Sequence, residues 1–230
     1  MRLLDGSGVS REVHAPFCER LRVKLSWPTN LSWLPGPARG TWFYLYLMMD
    51  VYSRKIVGHE VHENETGELA REFIEKAYWR EHLASRGKPL VLHSDNGSPM
   101  KAATFLEKLY DLGITPSNSR PRVSNDNAYS ESLFKTLKFR PGFPVNGFKT
   151  IQDARDWVLK FVRWYNTEHR HSALNYVTPQ QRHTGEANQI LAKRKQVIEA
   201  AKAANPPKLV WENPKPQLAG LSYIESGKGG

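Results

Sequence analysis

The stretch Thr41-Trp42-Phe43-Tyr44-Leu45-Tyr46-Leu47-Met48-Met49 leaves this chain few ways to fold. It lacks the polar alternation of a half-wet strand and the spacing of an amphipathic helix, so it reads as a strand buried on both faces. Asp50-Val51-Tyr52-Ser53-Arg54 then makes a turn, and Lys55-Ile56-Val57-Gly58-His59-Glu60-Val61 a second strand. Upstream, Leu31-Ser32-Trp33-Leu34 stops at Pro35-Gly36-Pro37, which predicts a short strand before a loop. Three strands with short connections predict an antiparallel meander.

Helical patterns follow. Asn64 or Thr66 can cap a helix that presents Leu69, Phe73, Ile74, Ala77 and Tyr78 on one face. Leu90 to His93 reads as a short buried strand, Ala102 to Leu112 as a helix stopped at Gly113, and Ile114 to Ser117 as another strand. Asp126 or Asn127 can cap a helix through Lys138. Beyond a Gly/Pro-rich segment from Arg140 to Gly147, Phe148 to His169 has Trp157, Val158, Phe161, Val162 and Tyr165 at helical spacing. Thr178-Pro179 starts a further helix, with proline at its first position, and Ile190 to Ala204 is a basic, alanine-rich one. Strands alternating with helices predict an α/β body. The expected division is an N-terminal arm over 1–25, poorly ordered, a core over 26–184, and a basic helix with a Pro/Gly-rich tail over 185–230.

Composition narrows the class. Hydrophobic residues make up 40% of the 230, enough for a core, and no apolar run approaches the ~18 residues of a membrane span. No signal-peptide pattern opens the chain, and the single cysteine, Cys18, cannot form an internal disulfide. A cytoplasmic protein without a membrane partner is expected. Thirty-three Lys and Arg against 23 Asp and Glu leave a net charge of +10, which on its own suits either a polyanion binder or a merely soluble basic protein.

Two carboxylates stand out by context. Asp95 follows the strand at Leu90–His93 and precedes Asn96-Gly97-Ser98, so its side chain projects from a strand end, where α/β folds place ligands. Taken alone it is an ordinary Asx turn. Glu131 lies one turn into the helix that ends at Lys138, and taken alone is an exposed helix glutamate.

Together with their surroundings they carry a resemblance. Leu45 to Gly58, His93-Ser94-Asp95-Asn96-Gly97-Ser98, Asn125-Asp126-Asn127-Ala128 and Glu131-Ser132-Leu133-Phe134-Lys135-Thr136-Leu137-Lys138 resemble the core of integrase-like transposases of bacterial insertion sequences. Trp164-Tyr165-Asn166, His169-Arg170-His171-Ser172 and Thr178-Pro179 are similar to the same group. The nearest group is the insertion-sequence-three family, whose members are related to retroviral integrase.

The resemblance implies a ribonuclease-H-like fold, with a mixed five-stranded sheet flanked by helices and a helical C-terminal extension. It also implies an Asp, Asp, Glu triad holding two Mg²⁺ ions (or Mn²⁺) astride one phosphodiester, for DNA cleavage and strand transfer. Asp95 and Glu131 match the second and third acids. At the first, this chain has Asn30 in Asn30-Leu31-Ser32, so a neutral amide replaces an anion and impaired activity is expected. Lys135 and Lys138, at i+4 and i+7 from Glu131, and Arg120 and Arg122 suit phosphate contacts; Asn127 is a further DNA-contact candidate that equally suits a helix cap.

The implied partners are transposon-end and target DNA, with self-assembly on DNA and a nucleoid-associated location. Two rivals remain: a catalytically dead DNA-binding fragment, and a ribonuclease-H-like nuclease without a transposition role. Trp164, Tyr165, His169, Arg170 and His171 could stack on unpaired bases, but Trp164 more readily joins a core. Lys193, Arg194 and Lys195 are a solvated helix face or a backbone contact.

Overall fold

The computed structural model describes residues 25–85, 90–119 and 128–205. The expected N-terminal arm, apart from Leu25, and the tail beyond 205 lie outside the described residues. The chain divides into two compact units, Met1–Ala187 and Asn188–Gly230.

Five strands form one sheet: β1 (Leu25–Pro35), β2 (Trp42–Met49), β3 (Ile56–His62), β4 (Leu90–Ser94) and β5 (Ile114–Asn118), in the order β3-β2-β1-β4-β5. The first three make the expected antiparallel meander. β4 then pairs with β1, and β5 with β4, both in parallel. β1 is longer than its sequence suggests and runs through Pro28. The reason is local. Pairing with β2 begins only at Thr29, so at Pro28 the strand is paired on one side, with His93 of β4, and a missing N–H is tolerated as on an edge.

The helices are α1 (Gly67–Arg80), α2 (Ser98–Lys101), α3 (Ala103–Asp111), α4 (Ala128–Lys138), α5 (Ile151–Thr167), α6 (Pro179–Thr184) and α7 (Ala187–Ala204). Their starts follow capping chemistry. Thr66 accepts the Leu69 N–H at 3.2 Å, while Thr150 with Asp153 and Thr178 with Gln181 form reciprocal capping boxes. α7, taken alone, carries Lys193, Arg194, Lys195 and Lys202 on a mostly exposed surface.

From Leu45 to Met49 the apolar run in β2 is covered on both sides, while Trp42 at its start is exposed. Tyr46 and Met48 pack with Ala70, Phe73, Ile74 and Ala77 of α1 and with Phe105 and Leu109 of α3. Leu45, Leu47 and Met49 pack with Leu133 and Leu137 of α4 and with Ala154, Val158 and Phe161 of α5. Each such burial is worth roughly 1.5–3 kcal/mol. Gly58 in β3 lets α1 come close, since a Cβ there would stand 2.9 Å from the Phe73 ring.

Two polar devices fasten the C-terminal helices to the sheet. On the outer strand β3, buried Asn166 of α5 accepts the Ile56 N–H at 2.9 Å and donates to the Ile56 carbonyl at 3.0 Å. It pairs the Ile56 peptide on the outer side of this edge strand. At the β2–β3 turn, fully buried Asp50 accepts the N–H groups of Tyr52 and Ser53 and the Ser53 hydroxyl. His183 of α6 closes the cluster: Nδ1 lies 3.2 Å from Ser53 Oγ and 3.5 Å from Asp50 Oδ2, and Nε2 lies 3.4 Å from Glu81 Oε2. Lys55 Nζ stands 3.5 Å from the other Glu81 oxygen.

The hydrogen bonds to Asp50 and Glu81 raise the His183 pKa above 6.5, against burial and Lys55. Burial pushes Glu81 up, but His183 and Lys55 outweigh it and hold the carboxyl below 4.5. The histidine's contribution is therefore complete below 6.5 and is lost as pH rises through its raised value. That of Glu81 is present above 4.5 and is lost as pH falls through its lowered value.

Two stability outcomes follow from these devices. Asn166→Ala strips both partners from a buried peptide group and should cost about 2 kcal/mol in urea unfolding; a loss below roughly 0.5 kcal/mol means water replaces the amide. The parent should melt progressively lower as pH rises above 6.5, and His183→Ala should destabilise below that pH and flatten the decline; an unchanged decline in the variant contradicts the network.

Candidate functional site

The site begins where β1 and β4 stop pairing. Their last parallel rung is Thr29↔Ser94, so positions 30 and 95 are the next pair along the two strands. Position 30 also opposes Leu47 on the other side of β1 and shares the even-numbered register of Ser32 and Leu34.

Asp95 is half-buried at this strand end. Its Oδ1 accepts the Gly97 N–H at 2.9 Å, and its carboxylate takes a second backbone hydrogen bond from Leu31, the residue after Asn30. Burial raises its pKa above 3.8, partly offset by these two N–H groups and by His93. His93 is held on both ring nitrogens, with Nδ1 3.1 Å from Ser117 Oγ and Nε2 3.2 Å from Ser119 Oγ. Asn96 donates to the Ser119 carbonyl at 2.8 Å, so the loop carrying Asp95 is tied to the end of β5. A Cβ at Gly97 would lie 2.9 Å from Asp95 Oδ1, so a side chain there would push the carboxylate aside.

Glu131 lies in the first turn of α4, which packs on β1 through its apolar side. The glutamate is exposed, as are Lys135 and Lys138, one and two turns further along the same stripe. Tyr129, two residues before Glu131, lies under the Arg54 guanidinium at 3.6 Å from the ring centroid. The turn after β2 thus holds the start of the helix that carries Glu131. Arg120, Arg122 and Asn127 lie outside the described residues.

One expectation is corrected. Among the described residues, no cluster of three His, Cys, Asp or Glu side chains can hold a metal ion, so those residues do not fit the expected pair of Mg²⁺ (or Mn²⁺) ions. The donor set explains this. Position 30 brings no carboxylate, the Asp95 carboxyl already serves two backbone N–H groups, and Glu131 is not among the groups that act on it. A hard dication needs more anionic oxygen than that.

The core reading of Trp164 agrees with its packing. Trp164 lies under Arg140 at 3.6 Å and contacts Phe161 and His169, while Tyr165 is buried with its hydroxyl pushed up to about 12. These rings belong to the α5 aromatic cluster. The tie from Arg54 to Tyr129 and the serine clasp on His93 escaped the sequence reading, since contacts between distant segments leave no spacing to read.

The sheet order, the acid at the end of β4 and the helix packed on β1 define an integrase-type, ribonuclease-H-like core, and known proteins agree. Residues 12–124 and 112–179 each match a family described as "Integrase core domain". The chain belongs to this integrase-core family, in company with transposases of bacterial insertion sequences. It is 33% identical over 154 residues to the transposase for insertion sequence element IS904 of Lactococcus lactis, covering 66% of this chain and 58% of that protein. It is 30% identical over 166 residues to a putative transposase for IS986/IS6110 of Mycobacterium tuberculosis, covering 69% and 55%. The chain thus spans just over half the length of these relatives. The catalytic core domain of BIV integrase shares the fold, at a TM-score of 0.51 and 18% identity over 73% of this chain and 99% of that one. No helix among the described residues is long and apolar enough to cross a membrane.

Asp95 offers a direct electrostatic check. A carboxyl held above its ordinary pKa favours the fold while protonated, and that contribution is lost as pH rises from 3.8 through the raised value. Asp95→Asn keeps an acceptor without the charge and should melt higher than the parent at neutral pH, with the gap closing below pH 3.8. A lower melting temperature at neutral pH contradicts the burial argument.

Proposed function

We propose that this chain is the DNA-engaging core of an insertion-sequence transposase in which strand cleavage and strand transfer are impaired at position 30. The observation that carries the reading is the juxtaposition of positions 30 and 95 at adjoining strand ends, with α4 packed on the same strand. An integrase-type core breaks one phosphodiester and makes another, and needs concentrated negative charge at that point to organise the reaction. Here the amide of Asn30 stands in for the first acid, so Asp95 and Glu131 are left as an incomplete pair. The lack of a three-donor cluster among the described residues favours the dead DNA-binding reading over the independent nuclease.

Binding survives that loss because it rests on different groups. Lys135 and Lys138 lie on the exposed stripe of α4 that bears Glu131, and the chain as a whole carries +10. Phosphates of transposon-end or target DNA are the partners this charge suits, with release of counterions as the driving term. Arg120, Arg122 and Asn127 are proposed to extend the same contact. A second copy of the chain on the same DNA, and a place beside the chromosome, complete the reading.

The test is a paired assay of the parent and Asn30→Asp on labelled duplex, with divalent cation supplied. The variant should gain cleavage and joining of a 3′-OH end by at least tenfold; equal rates overturn the assignment of position 30. In binding, Lys135→Ala and Lys138→Ala should each lower the slope of log affinity against log salt by about one. An unchanged slope removes these lysines from the DNA contact.

A further inference from the structure

Away from α4, the surface carries two indoles that core packing does not account for, beside a partly buried tyrosine. Trp33 of β1 and Trp42 of β2 meet with ring centroids 5.8 Å apart and planes inclined at 46°. Tyr44 stands nearly edge-on to Trp33 at 6.2 Å. Trp33 is 50% exposed and Trp42 42%, although both lie on central strands of the sheet. On the same side of β2, Tyr46 and Met48 are fully buried. The cover of α1 and α3 therefore ends between Tyr46 and Trp42, and the two indoles stand in the open beyond it.

The hairpin that presents them is closed by hydrogen bonds and carries a cation. Gly36 N–H donates to the Thr41 carbonyl at 2.9 Å, Thr41 N–H to the Ala38 carbonyl at 3.0 Å, and the Thr41 hydroxyl to the same carbonyl at 2.7 Å. From Leu31 to Met49 the only charged residue is Arg39, exposed in this turn. A second exposed cation, Lys149, follows Phe148, whose N–H bonds the Pro35 carbonyl at 2.9 Å. Large flat apolar faces beside cations, with no carboxylate in the hairpin, match a ligand that is itself aromatic and anionic.

We propose that Trp33, Trp42 and Tyr44, with Arg39, form a stacking platform for unpaired bases of single-stranded DNA. The proposal rests on the DNA reading above and adds a strand class and a second contact surface to it. In a duplex the base faces are covered by their neighbours, so indoles gain little there; an opened strand exposes those faces. The indoles supply sequence-tolerant stacking, and Arg39 and Lys149 supply attraction for the phosphates between the bases. Trp33 is three residues along β1 from position 30, about 10 Å at the rise of an extended strand, on the opposite alternation. A strand held here would thus lie around the sheet end from the candidate site, as suits a segment unpaired from its complement.

The experiment uses the full chain with fluorescein-labelled oligothymidylate and with a duplex of equal length, followed by anisotropy. Trp33→Ala/Trp42→Ala should weaken oligothymidylate binding by at least tenfold and change duplex binding by less than about threefold. Trp33→Phe/Trp42→Phe should restore most of the loss. Equal weakening on both ligands, or none on oligothymidylate, overturns the platform. Because the double alanine variant removes two large rings, the unsubstituted chain is also cross-linked to an iododeoxyuridine strand and the adducts mapped. Adducts at Trp33, Trp42 or Tyr44 support the platform, and adducts confined elsewhere overturn it. Duplex binding without these effects leaves the DNA reading standing and removes the platform alone, whereas absence of binding to either ligand removes both. If the alanine variant instead loses self-association in sedimentation and keeps its oligothymidylate affinity, the face is a contact between copies.

Discussion

Parallel pairing of β1 with β4 is the constraint on which the rest of the molecule depends. It joins a meander near the start of the described chain to a strand some sixty residues later, and it ends one rung short of positions 30 and 95. Everything chemical about the candidate site is arranged around that ending. Asp95 leaves the ladder, turns back through Gly97, and takes a hydrogen bond from Leu31 on the neighbouring strand. Burial there disfavours the charged carboxylate, so this strand end is a place where an anion is held at a cost, as functional sites commonly are.

The elements around this pairing serve it in a recognisable division of labour. β2, sealed on both faces from Leu45 to Met49, is the spine against which β1 is registered. The turn after β2 does more than reverse the chain: Asp50 gathers its backbone, Arg54 reaches Tyr129 of α4, and His183 ties α6 to it. One short motif thus steadies the helix bearing Glu131 and fastens a helix far along the sequence. The buried Ser53, His183 and Glu81 have the look of a nucleophile, base and acid in a row, yet Ser53 is fully buried and its hydroxyl is committed to Asp50. Its role is attachment.

Much of this was legible in the sequence, for stated reasons. The strand over 42–49 announced itself by an unbroken apolar run, the helix of 67–80 by period and by Thr66, that of 151–167 by period, and that of 179–184 by Thr178 before Pro179. The two acids were legible through their motifs. The length of β1 was not, because Pro28 and Pro35 speak against a central strand unless one knows that β2 pairs only from Thr29. The clasp of Asn166 on Ile56 and the cluster around His183 join residues about 110 and 130 positions apart, and no local pattern encodes them. The metal pair inferred by resemblance also failed, since the described residues bring no three His, Cys, Asp or Glu side chains together, and a motif match does not report how its acids converge.

The central claim is that position 30 is the missing first donor beside Asp95. Titration of Mn²⁺ into the parent and into Asn30→Asp, with free ion read by electron paramagnetic resonance, addresses it without any need for turnover. The account predicts that the parent leaves the free-ion signal at its buffer value through the titration, and that the variant removes ion saturably. Saturable uptake by the parent equal to that of the variant contradicts it.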